Sequence, residues 1–319
     1  APGMKPFSIN EMRDEARHYL ERSSALQATP YERLEHMNRP SIELYAEHGI
    51  DLREPLEVAV CAQHCNGGLR GNLWWETSVP HLFAVGELNG THGVRPGGSA
   101  LNSGQVGAVR AAQYIAHVYQ APPLDPHAFL DQVAAQVTAQ HAEYTAFLHA
   151  GAEALELDAI RPAIQERMSR CGGFVRSLAA VRQGLREARE LYARIRRHGV
   201  RCPDTRTLVR ATEDKALALS SLAFLEALLH YIEHGGGSRG GYMILDEAGA
   251  LTVDSRRGSE LRHRPENLDK RREILEVQAV AGRPGEFTVM PVPVRPLPAD
   301  ESWYETTWAA WSEGRIYRE

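Results

Sequence analysis

Three short stretches carry side chains whose types and spacing suit an anionic or hydroxyl-rich ligand. The first, Ala62-Gln63-His64-Cys65-Asn66-Gly67-Gly68, sets a titratable imidazole before paired glycines. The second, Val79 to Glu87, reads as a strand over 81–85 that ends in Gly86-Glu87. A carboxylate at the end of a strand can accept hydrogen bonds from ribose-type hydroxyls. The third runs His92-Gly93-Val94-Arg95-Pro96-Gly97-Gly98-Ser99-Ala100-Leu101-Asn102-Ser103 and leads into a helical pattern. Backbone N–H groups at such a helix start point at electron-rich oxygens. His64 and Arg95 combine a titratable donor with a bidentate cation, a pair suited to gripping a carboxylate.

Taken singly, each signal has a plainer reading. A histidine beside glycines is more often a structural hydrogen-bonder, and Gly-Gly-Ser before a helix is usually a cap. Cys61, His64 and Cys65 look like half of a metal site, but Cys171 and Cys202 stand isolated and supply no second half, so no metal is expected. Trp74-Trp75 reads as surface or interface packing. The basic run Arg194 to His198 reads as the solvated end of a helix, where cations suit the dipole.

These groups need elements to hold them. Residues 8–48 show helical periodicity in Ile9, Met12, Ala16 and Leu20 and again in Leu34, Met37 and Leu44, broken at Pro30 and Pro40 and closed by Gly49. Residues 57–60 and 81–85 read as short strands. Between and after them lie Gly67, Gly68, Gly71, Gly86, Gly90, Gly93, Gly97, Gly98, Gly104 and Gly107. Glycine at that density marks backbone that turns sharply or lies against something flat. A helical pattern resumes over 103–119. Residues 126–234 then read as three or four amphipathic helices packing as a bundle. The tail from Gly235 mixes turns with strands such as Thr288-Val289-Met290 and holds three of the five tryptophans.

Of the 319 residues, 43% are hydrophobic and 24% charged, which suffices for two cores. The net charge of −5 gives no case for nucleic acid or an anionic bilayer as partner. With no run of 18 or more apolar residues, no membrane span is expected. Four cysteines do not make a disulfide framework, so a reducing, cytoplasmic setting is the default expectation. The start Ala1-Pro2-Gly3-Met4 suggests processing or a piece of something longer.

Over roughly residues 56–118, the three stretches in this order resemble the fumarate reductase/succinate dehydrogenase flavoprotein family, which includes L-aspartate oxidase. The family pattern is a His segment ending in Gly-Gly, then Leu-Phe/Tyr-Ala-x-Gly-Glu, then His-Gly, Arg and Gly-Gly/Ser-x-x-Leu. Here these are His64 to Gly68, Leu82 to Glu87 and His92 to Leu101. Ser238-Arg239-Gly240-Gly241 is similar to the family's Ser-Arg-Gly-Ala.

The resemblance implies an α/β plus all-α fold with four parts. Residues 1–50 would be the helical end of a capping domain and 51–122 the C-terminal part of an FAD-binding domain. Residues 123–236 would form a helical bundle and 237–319 a mixed tail. It implies FAD as cofactor, with Glu87 on the ribityl hydroxyls. His92, Gly97 and Gly98 would also bind the cofactor, and the backbone around Ser99, Ala100, Leu101 and Asn102 would face the pyrimidine edge of the flavin ring. His64 and Arg95 would hold a fumarate- or succinate-like carboxylate during hydride transfer. The spacing from His-Gly to Arg is one residue shorter than the family's, and no G-x-G-x-x-G follows a strand anywhere. A partner chain carrying the other half of the flavin site is therefore expected, and an electron-transfer subunit is compatible with the family. The alternative is an interaction module that no longer binds FAD.

Overall fold

The computed structural model describes residues 9–57, 67–90, 99–252, 261–296 and 299–318. Two compact units emerge, residues 1–66 and 67–319.

In the first unit, α1 spans Asp14–Arg22 and α2 spans Pro30–Glu47. Thr29 starts α2 with a capping box: its hydroxyl accepts from Glu32 N, and the Glu32 carboxylate accepts from Thr29 N at 3.0 Å. Pro30 follows at the first helical position, where a missing N–H costs nothing. Asn38 leaves helical geometry two residues before Pro40, as the clash of a proline ring with the preceding turn requires. The break expected at Pro40 is thus a kink within one helix.

The second unit begins with irregular backbone over 67–90. It continues through α3 (Ser99–Val118) and α4 (Pro126–Leu148), the latter started by Asp125 accepting from His127 N and Ala128 N. Next come β1 (Leu155–Glu156), α5 (Leu157–Cys171), β2 (Val175–Arg176), α6 (Leu178–His198), β3 (Val200–Arg201) and α7 (Thr205–Glu233). The basic run of α6 occupies its last turn and Gly199 follows at φ +72°, the left-handed stop that glycine tolerates.

Two hydrophobic clusters share α5, α6 and α7. One joins Phe147, Leu157, Ile160, Ile164, Tyr192 and Ile195 to Ala211 and Ala218; the other joins Val181, Leu185 and Ala188 to Leu222, Leu225, Ile232 and Ile244. By length and composition α7 is apolar enough to cross a membrane. Here it is the central helix, with one face packed on α5 and α6 and with Asp214 buried in it.

Short strands that periodicity did not anticipate clip the bundle. β1 pairs in parallel with β3, and β2 with β4 (Met243–Ile244). In the tail, β5 (Leu251–Thr252) pairs antiparallel with β6 (Arg262–His263). A longer hairpin pairs β7 (Glu273–Ala279) with β8 (Phe287–Pro293), from Glu273 opposite Pro293 to Ala279 opposite Phe287. Three tryptophans sit on α8 (Trp303–Ser312).

The strand expected over 81–85 does not form. Pro80 and His81, the latter at φ +67°, turn the chain. What remains is a tight hairpin held by Thr77 N donating to Leu82 O (2.8 Å) and Ala84 N donating to Trp75 O (2.9 Å), with a single bridge between Glu76 and Phe83. The strand expected at 57–60 lies almost wholly outside the described residues. Sheet character within 51–122 is therefore limited, among the described residues, to isolated bridges.

Candidate functional site

Of the expected site residues, His64, His92, Arg95, Gly97 and Gly98 lie outside the described residues, as do Cys61 and Cys65. The structure does describe backbone that adjoins them. Gly68 and Gly90 lie backbone against backbone: a Cβ on Gly68 would enter the Leu88 carbonyl and the Gly90 nitrogen, and one on Gly90 would enter the backbone of Gly68. Leu69 N donates to Leu88 O (2.7 Å) and Gly90 N donates to Leu69 O (2.9 Å), making a parallel bridge from Leu69 to Asn89. The end of the first stretch is thereby fastened to the end of the second.

The third stretch joins through helix packing. α3 begins at Ser99, and Ser99 to Asn102 form its first turn, with Leu101 exposed. No acidic residue occupies that turn, so the positive end of the helix dipole is not offset by its own side chains. One turn on, Gly104 faces Gly86, where an added Cβ would sit 3.3 Å from the Gly86 Cα. Gly86 itself has φ +70° and opens the 3-10 turn Gly86–Leu88, with Glu87 exposed on it. The carboxylate of Glu87 and the first turn of α3 are thus held on one small scaffold built from close glycine contacts.

Sequence reasoning passed over the cluster that braces this scaffold. The Tyr119 hydroxyl donates to Glu76 Oε1, which also accepts from His81 N (2.9 Å), and the His81 ring lies 4.2 Å from that of Tyr119. The hydrogen bond to Glu76 raises the Tyr119 hydroxyl to about 12 and holds the Glu76 carboxyl below its usual range. Tyr119 ionises above the usual tyrosine value, so its contribution is complete below pH ~10 and is lost as pH rises towards 12. A tyrosinate absorbance titration should show two late-ionising tyrosines, Tyr119 and Tyr242, the latter pushed up by burial, and Tyr119→Phe should remove one of the two.

Trp74, half-buried, stacks on Tyr114 (5.2 Å, 19°) and against Tyr317 (5.2 Å), with the Arg110 guanidinium 4.6 Å from its ring. Gln113 Oε1 accepts from Trp311 Nε1 (3.2 Å) and from the Tyr317 hydroxyl (3.1 Å). The tryptophan pair is therefore internal packing that ties the loop, α3 and the C-terminal turn together. The spacing of Arg110, Gln113, Tyr114 and His117 along one helix was its only signal in the sequence. Arg239, in the Ser238–Gly241 run, pairs with Glu266 at 3.3 Å.

A flavin fits these residues in part. The scaffold offers a carboxylate acceptor at Glu87, N–H donors at the start of α3 and an open position at Gly86, where a Cβ would meet nothing within 4 Å. The one Gly-x-Gly-x-x-Gly run, Gly235 to Gly240, follows the helix α7 rather than a strand, so it lacks the strand-turn-helix setting that cradles a dinucleotide pyrophosphate. Among the described residues no group of His, Cys, Asp and Glu could hold a metal, and Cys171 and Cys202 are free and buried.

No family model matches the chain. It is 46% identical over 70 residues to a fumarate reductase (CoM/CoB) subunit of Methanothermobacter marburgensis, covering 21% of this chain and 13% of that protein. It is 41% identical over 81 residues to L-aspartate oxidase of Streptomyces coelicolor, 24% of this chain and 14% of that one. An uncharacterised FAD-dependent oxidoreductase of Methanocaldococcus jannaschii is 42% identical over 80 residues, covering 24% of this chain and 15% of that protein.

Among solved structures, a quinol-fumarate reductase chain superposes with TM-score 0.61 at 20% identity, over 86% of this chain and 45% of that one. A chain of the Mycobacterium smegmatis Sdh1 complex with UQ1 gives 0.57 at 19%, over 98% and 51%. The chain thus spans about half the length of these neighbours and shares their fold over that half.

Proposed function

Because the chain is similar in sequence and fold to flavoproteins of the fumarate reductase and succinate dehydrogenase type, we propose that it forms part of an FAD-dependent oxidoreductase. The substrate class is a small carboxylate of the fumarate or succinate kind, and the reaction is hydride transfer. The observation that carries this reading is the glycine-mediated convergence of Gly68, the Gly86–Gly90 turn and the start of α3 onto one scaffold.

On this reading Glu87 accepts hydrogen bonds from ribityl hydroxyls, and Gly97 to Asn102 border the isoalloxazine. The positive end of α3 would stabilise negative charge developing there. His64 and Arg95 hold the substrate carboxylate and fix its reacting carbons. FAD, when bound, supplies the two-electron chemistry.

The pyrophosphate half of the site would come from polypeptide outside these 319 residues. Leu69, Leu82, Val85, Leu88, Leu101, Val106 and Val109, all exposed beside the scaffold, suit coverage by that polypeptide. A further electron-transfer subunit is compatible with this arrangement.

The test is a visible absorbance spectrum of the purified protein. Flavin bands that bleach with dithionite and recover on adding an unsaturated dicarboxylate support the proposal. A colourless protein that takes up no FAD, even with its complementary half supplied, leaves the interaction-module reading. Within a flavin-binding preparation, Glu87→Ala should weaken FAD retention about tenfold, the loss of one or two hydrogen bonds, as measured by flavin release on dilution.

A further inference from the structure

A charged groove runs between α5 and α6, far along the chain from the scaffold described above. Ala163, Glu166, Arg167 and Arg170 line it from α5, and Glu187, Glu190, Leu191 and Arg194 from α6. Each set repeats at i, i+3, i+4 and i+7, the stripe that normally faces a neighbouring helix with apolar side chains. Charge along facing stripes is costly to packing unless it serves something else. The hollow measures about 360 Å³, within the roughly 300–1,000 Å³ range of small-molecule sites.

At its base Arg167 is 4% exposed, and its Nη2 donates a long hydrogen bond to Ser221 Oγ (3.4 Å) on α7. Its Nε has no hydrogen-bond partner, and it makes no ion pair among the described residues. A guanidinium this buried, with Glu187 acting on it only from beyond ion-pair distance, is destabilising on its own, and burial lowers its pKa from the ordinary arginine value. Arg170 and Glu187 satisfy each other. That leaves Arg167 and Arg194 as cations, and Glu166 and Glu190 as carboxylates, outside any ion pair among the described residues.

We propose that this groove binds a small zwitterion of the free amino-acid type. Its carboxylate pairs with Arg167 and Arg194 and its ammonium with Glu166 and Glu190, while Ala163 and Leu191 meet an apolar side chain. A bare anion would neutralise the arginines but be repelled by the two glutamates, and a bare cation the reverse. The ligand that satisfies the groove carries both signs. The inference is independent of the flavin reading.

Ligand-observed NMR of the full chain with L-alanine, acetate and methylammonium as probes tests it. L-alanine should bind at least tenfold more tightly than either single-charge probe, and Arg194→Gln and Glu190→Gln should each weaken it about tenfold. Both positions are exposed, so neither change threatens the fold. Acetate binding equal to alanine, with Glu190→Gln without effect, would replace the proposal by a simple anion site. Alanine binding unchanged in both variants, or no binding of any probe, would overturn it outright.

Discussion

Gly90→Ala is expected to abolish flavin retention while the helical bundle stays folded. The new methyl would enter the backbone of Gly68, and neither partner is a flexible side chain that can swing aside. Overpacking against backbone costs about 1–3 kcal/mol, and here the strain falls on the contact that fastens Gly68 to the Glu87 turn. Gly68→Ala should do the same through the Leu88 carbonyl and Gly90. Gly151→Ala is the control, because a Cβ there would meet nothing within 4 Å. Flavin content by absorbance, beside helicity by circular dichroism, separates the outcomes. A Gly90→Ala protein that keeps its flavin would show that the glycine contact does not hold the site together.

Arg161→Leu is expected to destabilise the bundle more than Asp214→Leu does. Asp214 is fully buried on α7 and receives Arg161 Nε at 2.6 Å, with Arg210 Nε at 3.9 Å. Removing Arg161 leaves that carboxylate with only the distant Arg210. Loss of a partner from a buried pair costs about 3–5 kcal/mol. Arg161 is 37% exposed and already screened by water, so the expected loss falls below that of a fully buried pair. Removing Asp214 instead frees Arg161 to keep Glu213, its partner at 3.1 Å, and to reach water. The double variant should recover most of the deficit, because an apolar pair of similar volume is tolerated where an unpaired charge is not. Denaturant titrations of the three variants measure this. Equal losses in the two single variants would show that the pair acts through packing alone.

The helices were legible because their signals are local. The periodicity over 126–234 and the stop at Gly49 declare helices before any partner is known, whereas the starts at Asp125, Ser177 and Asp204 and the stop at Gly199 came only with the structure. The strand expected at 81–85 misled for the same reason. Leu82 to Val85 have strand-like composition, but the turn at Pro80-His81 folds them back on Trp75 to Thr77, and strand formation needs partners that composition does not report. The two-residue parallel clips β1–β3 and β2–β4 are too short for any periodicity to announce.

The amino-acid sequence by itself determined which chemical groups are available and in what order: a histidine before Gly-Gly, Gly-Glu after an apolar run, and Gly-Gly-Ser before a helix. Residue type and spacing are local properties, and they sufficed to point to a family. Tertiary structure decided which glycines touch. Nothing in the chain's order says that Gly68 meets Gly90, or Gly86 meets Gly104, because such contacts depend on two backbones approaching with no Cβ between them. It also decided that Arg167 lies buried with its Nε unpartnered and outside any ion pair among the described residues, since burial and pairing arise only when α5, α6 and α7 pack.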